Sequence, residues 1–337
     1  MVAATREVVS CDLCGQDDPE LLVTKNGFRV VQCRGCSLVF VSPRPKFAAL
    51  KQIYDADTFF EHQVTRAADE SWRPVAEERV QLINKLHPAR GTLLDVGCSA
   101  GWFMGVAQDA GWKVVGFDVA TASVAHARSR GFDARLATLD QHDLPPASFD
   151  VITMFDSIEH MPSPMSALGA AHELLRDDGI VMITTPNVDG LLPRLTYQVL
   201  ARPFGAWDHP GPPGHIFQFS RKTLAAALER TGFTTIHDKT EAMDLEHSVG
   251  ELEDAIMDVL AGRSRKKQAA ADDHAAVSDW QLEHEEKHAS ASKPRLLKRA
   301  LRRTVRTAAW AVVGGVSAPA PLVGRGDSLI VVARKRG

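Results

Sequence analysis

The stretch Asp95-Val96-Gly97-Cys98-Ser99-Ala100-Gly101 decides the fold of this chain. It ends a short apolar run, 92–96, that predicts a strand, and it precedes a helical pattern over 102–110. A second apolar run, 113–118, ends in Asp118. The predicted order is therefore a strand, a glycine turn, the start of a helix and a second strand that ends in an acidic residue. This arrangement places backbone N–H groups and a carboxylate around a nucleoside-bearing ligand.

The same alternation continues after Asp118 and predicts an α/β fold, because strands that alternate with helices form a mostly parallel sheet covered by helices on both faces. Two later apolar runs add strands beyond a polar insertion. The expected helices are 102–110, 120–130 and 165–176, and the expected strands are 92–96, 113–118, 133–137, 149–155, 179–184, 233–237 and 328–333.

Shifts in composition divide the chain into four parts. Residues 1–46 form a cysteine-containing module, and 47–90 form a helical connector. The α/β core takes up 91–240 and resumes at 326–337, after a polar, helical insertion at 241–325. Within that insertion, 263–293 is charged and alanine-rich, which is typical of a linker.

The composition excludes several classes of protein. The chain has 337 residues, 45% of them hydrophobic, and a net charge of -3, so the whole molecule shows no preference for polyanions. The N-terminus has no apolar segment of signal-peptide length, and no stretch is long and apolar enough to cross a bilayer. We therefore expect a cytoplasmic protein.

Two other glycine motifs overlap the turn and are disfavoured. A dinucleotide-binding G-x-G-x-x-G would need a glycine where Trp102 stands. Residues 97–101 satisfy G-x-S-x-G, the nucleophile elbow of hydrolases, but that fold needs a histidine late in the chain. The last histidine, His288, lies in the polar insertion before the final strand.

The order of motifs resembles the class I S-adenosylmethionine-dependent methyltransferases, in the branch that includes ubiquinone-pathway and sugar methyltransferases. The resemblance implies a Rossmann-like sheet of seven mostly parallel strands. Ser99 departs from the family pattern, which usually has a second glycine there. Besides the glycine turn, the resemblance rests on 144–145, 148–152, 158–164, 174–179, 185–187, 215–220 and 228–233.

By that resemblance, residues at successive strand ends contact S-adenosyl-L-methionine. Asp95 and Gly97 would lie near its methionine part, and Asp118 would hold the ribose. Gly101, like Gly97, would let the backbone approach the ligand. The remaining contacts implied are Val119, Thr138 and Leu139 beside the adenine, and Phe155 and Asp156 near the amino-acid tail.

Methyl transfer is an in-line displacement, so the nucleophile must lie close to the methyl group and in line with the leaving sulfur. An acceptor that must lose a proton needs a base, and histidine titrates in the right range. His160 follows the fourth strand of the core, and His209 and His215 flank a Pro-Gly-rich loop. We expect His160 and His215 to be the catalytic bases, with Glu159 orienting the acceptor or bracing its loop.

Four cysteines form two C-x-x-C pairs, Cys11 with Cys14 and Cys33 with Cys36. Four thiolates in this pattern are typical of a structural Zn²⁺ site, whereas redox dithiols or an iron–sulfur cluster are the alternatives. So short a segment buries little core, so we expect the metal to stabilise it. The resulting prediction is an N-terminal zinc ribbon. Cys98 lies apart from the pairs and is expected to be a small buried residue.

The charges of this module are nearly balanced, and its two phenylalanines fit a core. A nucleic-acid reader would show a basic stripe with aromatic residues for stacking. Nucleic acid is therefore not favoured, and we expect the module to capture substrate or to cap the acceptor cleft.

Residues 293–313 predict a basic amphipathic helix. Leu297, Leu301, Val305, Ala308 and Val312 recur at helical spacing, and arginines and lysines lie on the other side. The pattern is typical of a helix on an anionic membrane surface, or of an ordinary helix packed on its domain with a solvated basic face. RNA-backbone contact is a weaker alternative.

Together these features predict an S-adenosylmethionine-dependent methyltransferase acting on a small-molecule acceptor, such as a sugar, a glycan-linked compound or a secondary-metabolite intermediate, at oxygen, nitrogen or carbon. The alternatives are an RNA or protein methyltransferase that uses the cysteine module for recognition, and a non-catalytic cofactor-binding protein.

Overall fold

The computed structural model describes residues 6–55, 72–207, 209, 211–242, 245–261 and 296–336. The strands are β1 (Arg6–Glu7), β2 (Pro19–Lys25), β3 (Phe28–Cys33), β4 (Val39–Val41), β5 (Arg44–Pro45), β6 (Thr92–Val96), β7 (Lys113–Asp118), β8 (Asp133–Leu136), β9 (Phe149–Phe155), β10 (Leu175–Pro186), β11 (Phe217–Gln218), β12 (Phe233–Glu241) and β13 (Ser328–Lys335). The α-helices are α1 (Phe47–Tyr54), α2 (Arg73–Leu86), α3 (Trp102–Asp109), α4 (Thr121–Ser129), α5 (Pro164–Leu174), α6 (Leu191–Thr196), α7 (Arg202–Phe204), α8 (Arg221–Arg230), α9 (Leu245–Leu260) and α10 (Leu296–Val316).

The larger sheet has seven strands in the order β12-β13-β10-β9-β6-β7-β8. The neighbours from β10 to β8 are paired in parallel. Central strands of such a sheet are apolar throughout because both of their faces are covered, and the side chains of β10 are buried from Gly179 to its end. The predicted α/β class with a seven-stranded, mostly parallel sheet is confirmed.

The order of the strands reverses at β6. The chain proceeds outward from β6 to β7 and β8, and then places β9 on the opposite side of β6. Such a reversal leaves a crevice beyond the carboxyl ends of the two central strands, where open α/β sheets bind their ligands. The glycine turn that follows β6 lies at this point.

The predicted elements of the core agree closely with those observed. β6, β7 and β9 have the predicted bounds. β10 begins at Leu175, earlier than predicted, because a break in the pairing register between Leu175 and Ile180 lets the strand continue through the polar residues 176–178. Likewise, β12 continues past the predicted end to Glu241.

The chain divides into two compact units. The sheet unit comprises Leu50–Thr185, Ala225–Asp238 and Ile330–Gly337, and the cysteine unit comprises Met1–Ala49, Pro186–Leu224 and Lys239–Leu329. The core of the sheet unit is formed by buried apolar side chains of α2, β6, α3 and the last strand, among them Ile83, Leu93, Phe103 and Ile330.

The cysteine unit contains a second sheet, in the order β11-β4-β3-β2. This arrangement differs from the predicted boundaries, in which 1–46 was separate and 187–240 belonged to the core. The short module recruits β11 as its fourth strand, and Trp207 packs with Val23, Val30 and Val39 in its core. A segment of 46 residues gains from this recruitment because it buries too little apolar area alone.

Within the predicted insertion, 241–325, the structure describes two α-helices, α9 and α10. Val249 and Leu252 of α9 pack with Ala309 and Val313 of α10 and with Leu192 of α6. The predicted linker, 263–293, lies outside the described residues. Among the helices that the structure describes, none combines the length and the apolar character that crossing a membrane requires.

Candidate functional site

The glycine turn is held against the strands by its own backbone. The N–H groups of Gly97 and Cys98 donate to the carbonyl of Phe117, at 2.8 and 3.0 Å. Gly97 has a φ of +81°, and a Cβ there would lie 2.7 Å from Cβ of Ser157. Gly101 has a φ of +83°, and a Cβ there would lie 2.7 Å from the ring of Phe132. The two glycines are therefore required by the conformation and packing of the turn itself.

Ser99 occupies the left-handed region, with a φ of +51°. Glycine is favoured at such a position because a side chain strains it, which explains why the family pattern usually has a second glycine there. The Ser99 N–H donates to Oδ2 of Asp118 at 2.8 Å. The turn after β6 and the carboxylate that ends β7 are thus joined directly.

Asp118 is fixed by two backbone donors. Besides the bond from Ser99, its Oδ1 accepts the N–H of Ala120 at 2.8 Å. Burial nevertheless raises the pKa of this carboxyl above its usual range. Each oxygen still has a lone pair for a ligand hydroxyl. Asp118 is thus held where the predicted ribose contact requires it, at the carboxyl end of the strand beside β6.

Asp95 is only 2% exposed and accepts a hydrogen bond from Oγ1 of Thr153 at 2.8 Å. Burial, together with the nearby charge of Asp118, raises the pKa of Asp95 to about 7. The same surroundings raise the pKa of the Tyr54 hydroxyl, through burial and the charges of Asp118 and Glu159. An environment this acidic favours a positively charged ligand group.

The end of β8 leaves one buried polar atom without a partner. Oγ1 of Thr138 is buried and has no hydrogen-bond partner among the described residues, and the neighbouring Leu139 is buried. The N–H of Ala137 donates to the carbonyl of Asp118 at 3.1 Å, which ties this end to β7. A free hydroxyl beside an apolar side chain suits the edge of a heterocyclic base, and partly exposed Val119 lies next to Asp118.

At the end of β9, Phe155 is half-buried and packs edge-on against Phe103, with ring centroids 4.7 Å apart. Asp156 follows in the left-handed region, with a φ of +47°, and its N–H donates to the carbonyl of Thr184 at 3.0 Å. The ring of Trp102 lies 6.3 Å from that of Phe155. Trp102 was not predicted as a site residue, although an aromatic residue directly after a glycine turn is a usable signal.

The cofactor residues predicted at four strand ends all lie in the sheet unit, whereas the two predicted bases lie in different units. His160 ends a single 3-10 turn, Ile158–His160, in the sheet unit. Its Nδ1 lies 3.4 Å from the hydroxyl oxygen of Tyr54. Tyr54 was missed by sequence reasoning, because nothing in the sequence relates residues so far apart.

Glu159, which precedes His160 in the same 3-10 turn, is buried. Its Oε2 accepts the hydroxyl of Thr185 at 2.9 Å. Burial, followed by the charge of Asp156, raises the pKa of Glu159 well above its ordinary value. A buried, hydrogen-bonded carboxyl with a raised pKa fits the bracing role that the sequence left open.

His209 and His215 lie in the cysteine unit. His215 is partly exposed, and its N–H donates to the carbonyl of Gly211 at 3.2 Å, closing a tight turn. His209 is buried among aromatic side chains, with its ring centroid 5.2 Å from that of Trp207.

The four paired cysteines form one cluster, in which the sulfur atoms all lie within 4.8 Å of one another. Cys11 and Cys36 have sulfur atoms 3.4 Å apart, and those of Cys14 and Cys33 are 3.5 Å apart. Tetrahedral zinc with bonds of about 2.3 Å would hold its sulfur ligands about 3.8 Å apart, so the cluster fits this ion.

The two cysteine pairs have the same local structure. The N–H of Gly15 donates to the carbonyl of Cys11 at 2.7 Å, and the N–H of Ser37 donates to the carbonyl of Cys33 at 2.9 Å. Both donors have a positive φ, +77° at Gly15 and +68° at Ser37. Each pair thus presents its thiols from an equivalent turn.

The basic helix α10 is packed mainly through a different face from the one predicted. Val305, Ala309 and Val313 are buried, whereas Leu301, Ala308 and Val312 are exposed. Arg302 and Arg306 form ion pairs with acidic residues of α9, at distances down to 2.6 and 2.8 Å. Residues 293–295 and the side chains of 296–300 lie outside what the structure describes.

Several known methyltransferases are similar to this chain. A protein of Mycolicibacterium smegmatis named a probable S-adenosylmethionine-dependent methyltransferase is 31% identical over 143 residues, covering 42% of this chain and 51% of that protein. The ubiquinone biosynthesis O-methyltransferase of Pseudomonas paraeruginosa is 34% identical over 118 residues, covering 33% of this chain and 48% of that protein. The chain therefore spans about half the length of these curated relatives.

A solved SAM-dependent methyltransferase from Archaeoglobus fulgidus superimposes with a TM-score of 0.46 at 14% identity, covering 79% of this chain and 97% of that one. The family described as a methyltransferase domain matches residues 60–238, more than half of the 337 residues. The chain belongs to this family, the class I S-adenosylmethionine-dependent methyltransferases.

Proposed function

We propose that the protein transfers a methyl group from S-adenosyl-L-methionine to a small-molecule acceptor. The observation that carries the proposal is the set of side chains at the carboxyl ends of β9, β6, β7 and β8, four adjacent strands at the point where the order reverses. Family membership supports the same reading.

The residues of the sheet unit would bind the cofactor. Asp118, fixed by the N–H groups of Ser99 and Ala120, would accept the ribose hydroxyls. Asp95 would attract the cationic amino group, since its carboxylate form is stabilised by a nearby positive charge. The other predicted contacts are Gly97, Gly101, Val119, Thr138, Leu139, Phe155 and Asp156. When bound, the cofactor supplies a methyl group on a positively charged sulfur.

The chain's own contribution to transfer is to align the acceptor and to accept its proton. His160 and His215 remain the proposed bases. Tyr54 lies within 3.4 Å of Nδ1 of His160 and would help to orient that ring. In this proposal Glu159 braces the turn that carries His160.

A small-molecule acceptor is favoured over a nucleic acid. The N-terminal 46 residues have nearly balanced charges, and the whole chain has a net charge of -3. Relatives that share the domain include ubiquinone biosynthesis O-methyltransferases. The methyl group would be transferred to an oxygen, nitrogen or carbon atom of the acceptor.

Cys11, Cys14, Cys33 and Cys36 are proposed to hold one structural Zn²⁺. The sulfur spacing and the matching turns of the two pairs support this assignment. Four cysteines complete the coordination of the ion, so no position is open for catalysis. The ion would stabilise the cysteine unit.

We also propose that α10 makes peripheral contact with an anionic membrane, so that the protein would be cytoplasmic with a membrane-associated fraction. The exposed Trp310 and Arg303 on this helix support it, whereas the ion pairs of Arg302 and Arg306 with α9 reduce the charge available. Flotation with vesicles containing phosphatidylserine tests the contact. If the protein does not bind these vesicles in a salt-sensitive way, this part of the proposal is wrong.

Transfer itself is tested with donor carrying a labelled methyl group and a small-metabolite extract of the native host. We expect label in a small-molecule fraction, and its loss in the double variant His160→Ala/His215→Ala. Label in RNA or protein instead would redirect the acceptor class. Donor binding without any labelled product would contradict methyl transfer.

A further inference from the structure

Among the buried side chains of the cysteine unit, His209 and Gln218 both adjoin Gly211 and both carry polar atoms with no hydrogen-bond partner among the described residues. His209 is 3% exposed, and neither ring nitrogen has a hydrogen-bond partner among the described residues. Gln218 is 4% exposed, and its Oε1 likewise has none. Buried polar atoms in native proteins are usually paired, so three unpaired atoms in one unit call for a physical reason.

Both residues have fixed surroundings. The ring of His209 is tilted by 35° against that of Trp207, whose Nε1 donates to the carbonyl of Pro193 at 3.0 Å. Gln218 lies on β11, paired with Val39 of the cysteine module. Gly211 adjoins both, because a Cβ there would lie 3.7 Å from Nε2 of Gln218 and 3.8 Å from the carbonyl oxygen of His209.

The β2–β3 hairpin of the cysteine module holds the backbone of this region. Nζ of Lys25 donates to the carbonyl of His209 at 2.6 Å. Nδ2 of Asn26 donates to the carbonyl of Pro212 at 2.9 Å. The module therefore fixes the position of His209 through the last residue of β2 and the turn that follows it.

The chemistry of the unpaired atoms limits what could satisfy them. Burial, followed by the charge of Lys25, lowers the pKa of His209 to about 3, so the imidazole is neutral at physiological pH. A neutral imidazole offers one donor and one acceptor, and Oε1 of Gln218 only accepts. A carboxylate cannot donate to Gln218, and an ammonium group cannot accept from His209. A hydroxyl group can do both.

We propose that His209 and Gln218 form a buried polar subsite for the hydroxyl groups of a sugar-like or polyol-like acceptor, positioned by Lys25 and Asn26 of the cysteine module. This inference rests on the proposed function, since it assigns the acceptor of that reaction. It also gives the module a role in acceptor recognition.

The thermal stability of the protein without acceptor tests whether the atoms of the subsite are unpaired. If the imidazole is unpaired in the free protein, then His209→Phe removes a buried unpaired group and raises Tm, by about 2–4 °C. If a buried water or other group satisfies it permanently, the same change lowers Tm. Thr196→Val is the matched control, because the Thr196 hydroxyl is buried in the same unit and already donates to the carbonyl of Leu192 at 3.0 Å. We expect no rise in Tm for this control.

The same variants are then assayed with labelled donor and a dilution series of host metabolite extract. We expect His209→Phe to need at least about tenfold more extract for the wild-type rate, and to bind the demethylated cofactor as wild type does. Thr196→Val should match wild type in both assays. Should His209→Phe fail to fold, Gln218→Met makes the same two tests.

A fall in Tm, or wild-type dependence on extract, would overturn the subsite. The proposed function fails in a different way, namely when wild-type protein binds the cofactor and labels no product. The two failures are therefore distinguishable.

Discussion

Asp95 combines strong burial with a position at the end of a central strand. Its pKa of about 7 places its ionisation within the physiological range. A cationic ligand group favours the carboxylate, so cofactor binding should release a proton near neutral pH. We expect affinity for S-adenosylmethionine to rise by about tenfold from pH 6 to pH 8 and then level off. Asp95→Asn should bind more weakly and show a much flatter dependence. Calorimetry in buffers of different ionisation enthalpy measures both effects.

The pH dependence of the stability of the ligand-free protein tests the pKa of Asp95 independently of ligand binding. Because its pKa is raised from 3.8 to about 7 by folding, the folded state binds more protons between these values. Stability is therefore lost as the pH rises through this window, and the loss is complete above it. The gain in Tm of Asp95→Asn over wild type should grow from pH 4 to pH 7. An equal Tm for both proteins at every pH would contradict the assigned pKa.

Gly97 and Gly105 allow a matched comparison of glycines near the crevice. Gly97 has a φ of +81°, and a Cβ there would lie 2.7 Å from Ser157, whereas at Gly105, within α3, the nearest atom would be 3.4 Å away. Gly97→Ala should abolish measurable cofactor binding and lower Tm. Gly105→Ala should keep the affinity and gain up to about 1 kcal/mol of helix stability. Calorimetry and thermal unfolding test the pair, and equal effects of the two changes would contradict the described turn.

At the scale of elements, α10 shows what periodicity could and could not predict. The helix itself was predicted, with its apolar side at 297, 301, 305, 308 and 312. The stripe at 305, 309 and 313 is buried because it meets the apolar face of α9 and Leu192, which lies more than a hundred residues away in the chain. Contacts of that kind are set by tertiary packing, which one helix's pattern does not contain.

Val312 and Val313 distinguish the two stripes directly. Val313 is fully buried, whereas Val312 is 40% exposed. Val313→Asp should cost several kcal/mol, about 3 or more, because it buries an unpaired charge. Val312→Asp should change stability by about 0.5 kcal/mol or less. Denaturant unfolding measures both, and a larger loss for Val312→Asp would reverse the assignment of the buried face.

The strands and the glycine turn of the core were more predictable than the boundaries of the two compact units. β6, β7 and β9 are apolar runs that end at, or directly before, a glycine or an acidic residue, so local pattern defines them. β11 has only two residues and pairs with β4, nearly 180 residues earlier. No local signal identifies such a strand, and the recruitment of 186–224 to the cysteine unit could not be predicted for this reason.

In the candidate site, too, residues near strand ends were predictable from local pattern, whereas residues brought there by tertiary structure were not. Residues adjoining strand ends, such as Asp95, Asp118 and Thr138, were predictable because the ends of parallel strands share one edge of the sheet. Tyr54 lies in no motif, and the motif at 215–220 gave Gln218 no role. The roles proposed for both depend on the residues that tertiary structure places beside them.

At the scale of the whole molecule, the cysteine cluster and the cofactor crevice lie in different units, and this separation is testable. Cys33 ends β3, and β4 begins soon after Cys36 and pairs with β11. Chelating the proposed Zn²⁺ from the protein should raise hydrogen exchange in β3, β4 and β11 by at least about tenfold. Cofactor affinity should stay within about twofold of the loaded protein.

Elemental analysis before and after chelation gives the zinc content that this experiment requires. Adding Zn²⁺ back should restore exchange protection. Unchanged exchange after complete metal loss would show that the cluster does not stabilise these strands.

Titration of the protein with S-adenosylhomocysteine, the demethylated cofactor, by calorimetry tests most directly whether the crevice beyond β6 and β7 binds the cofactor. We predict one site per chain, with affinity reduced about tenfold to a hundredfold in Asp118→Asn, which retains an oxygen for one of the backbone donors of Asp118. Near-UV circular dichroism should show that the variant keeps its native packing. Absence of binding by the wild-type protein, or equal binding by Asp118→Asn, would contradict the claim that the crevice beyond β6 and β7 holds the adenosyl group.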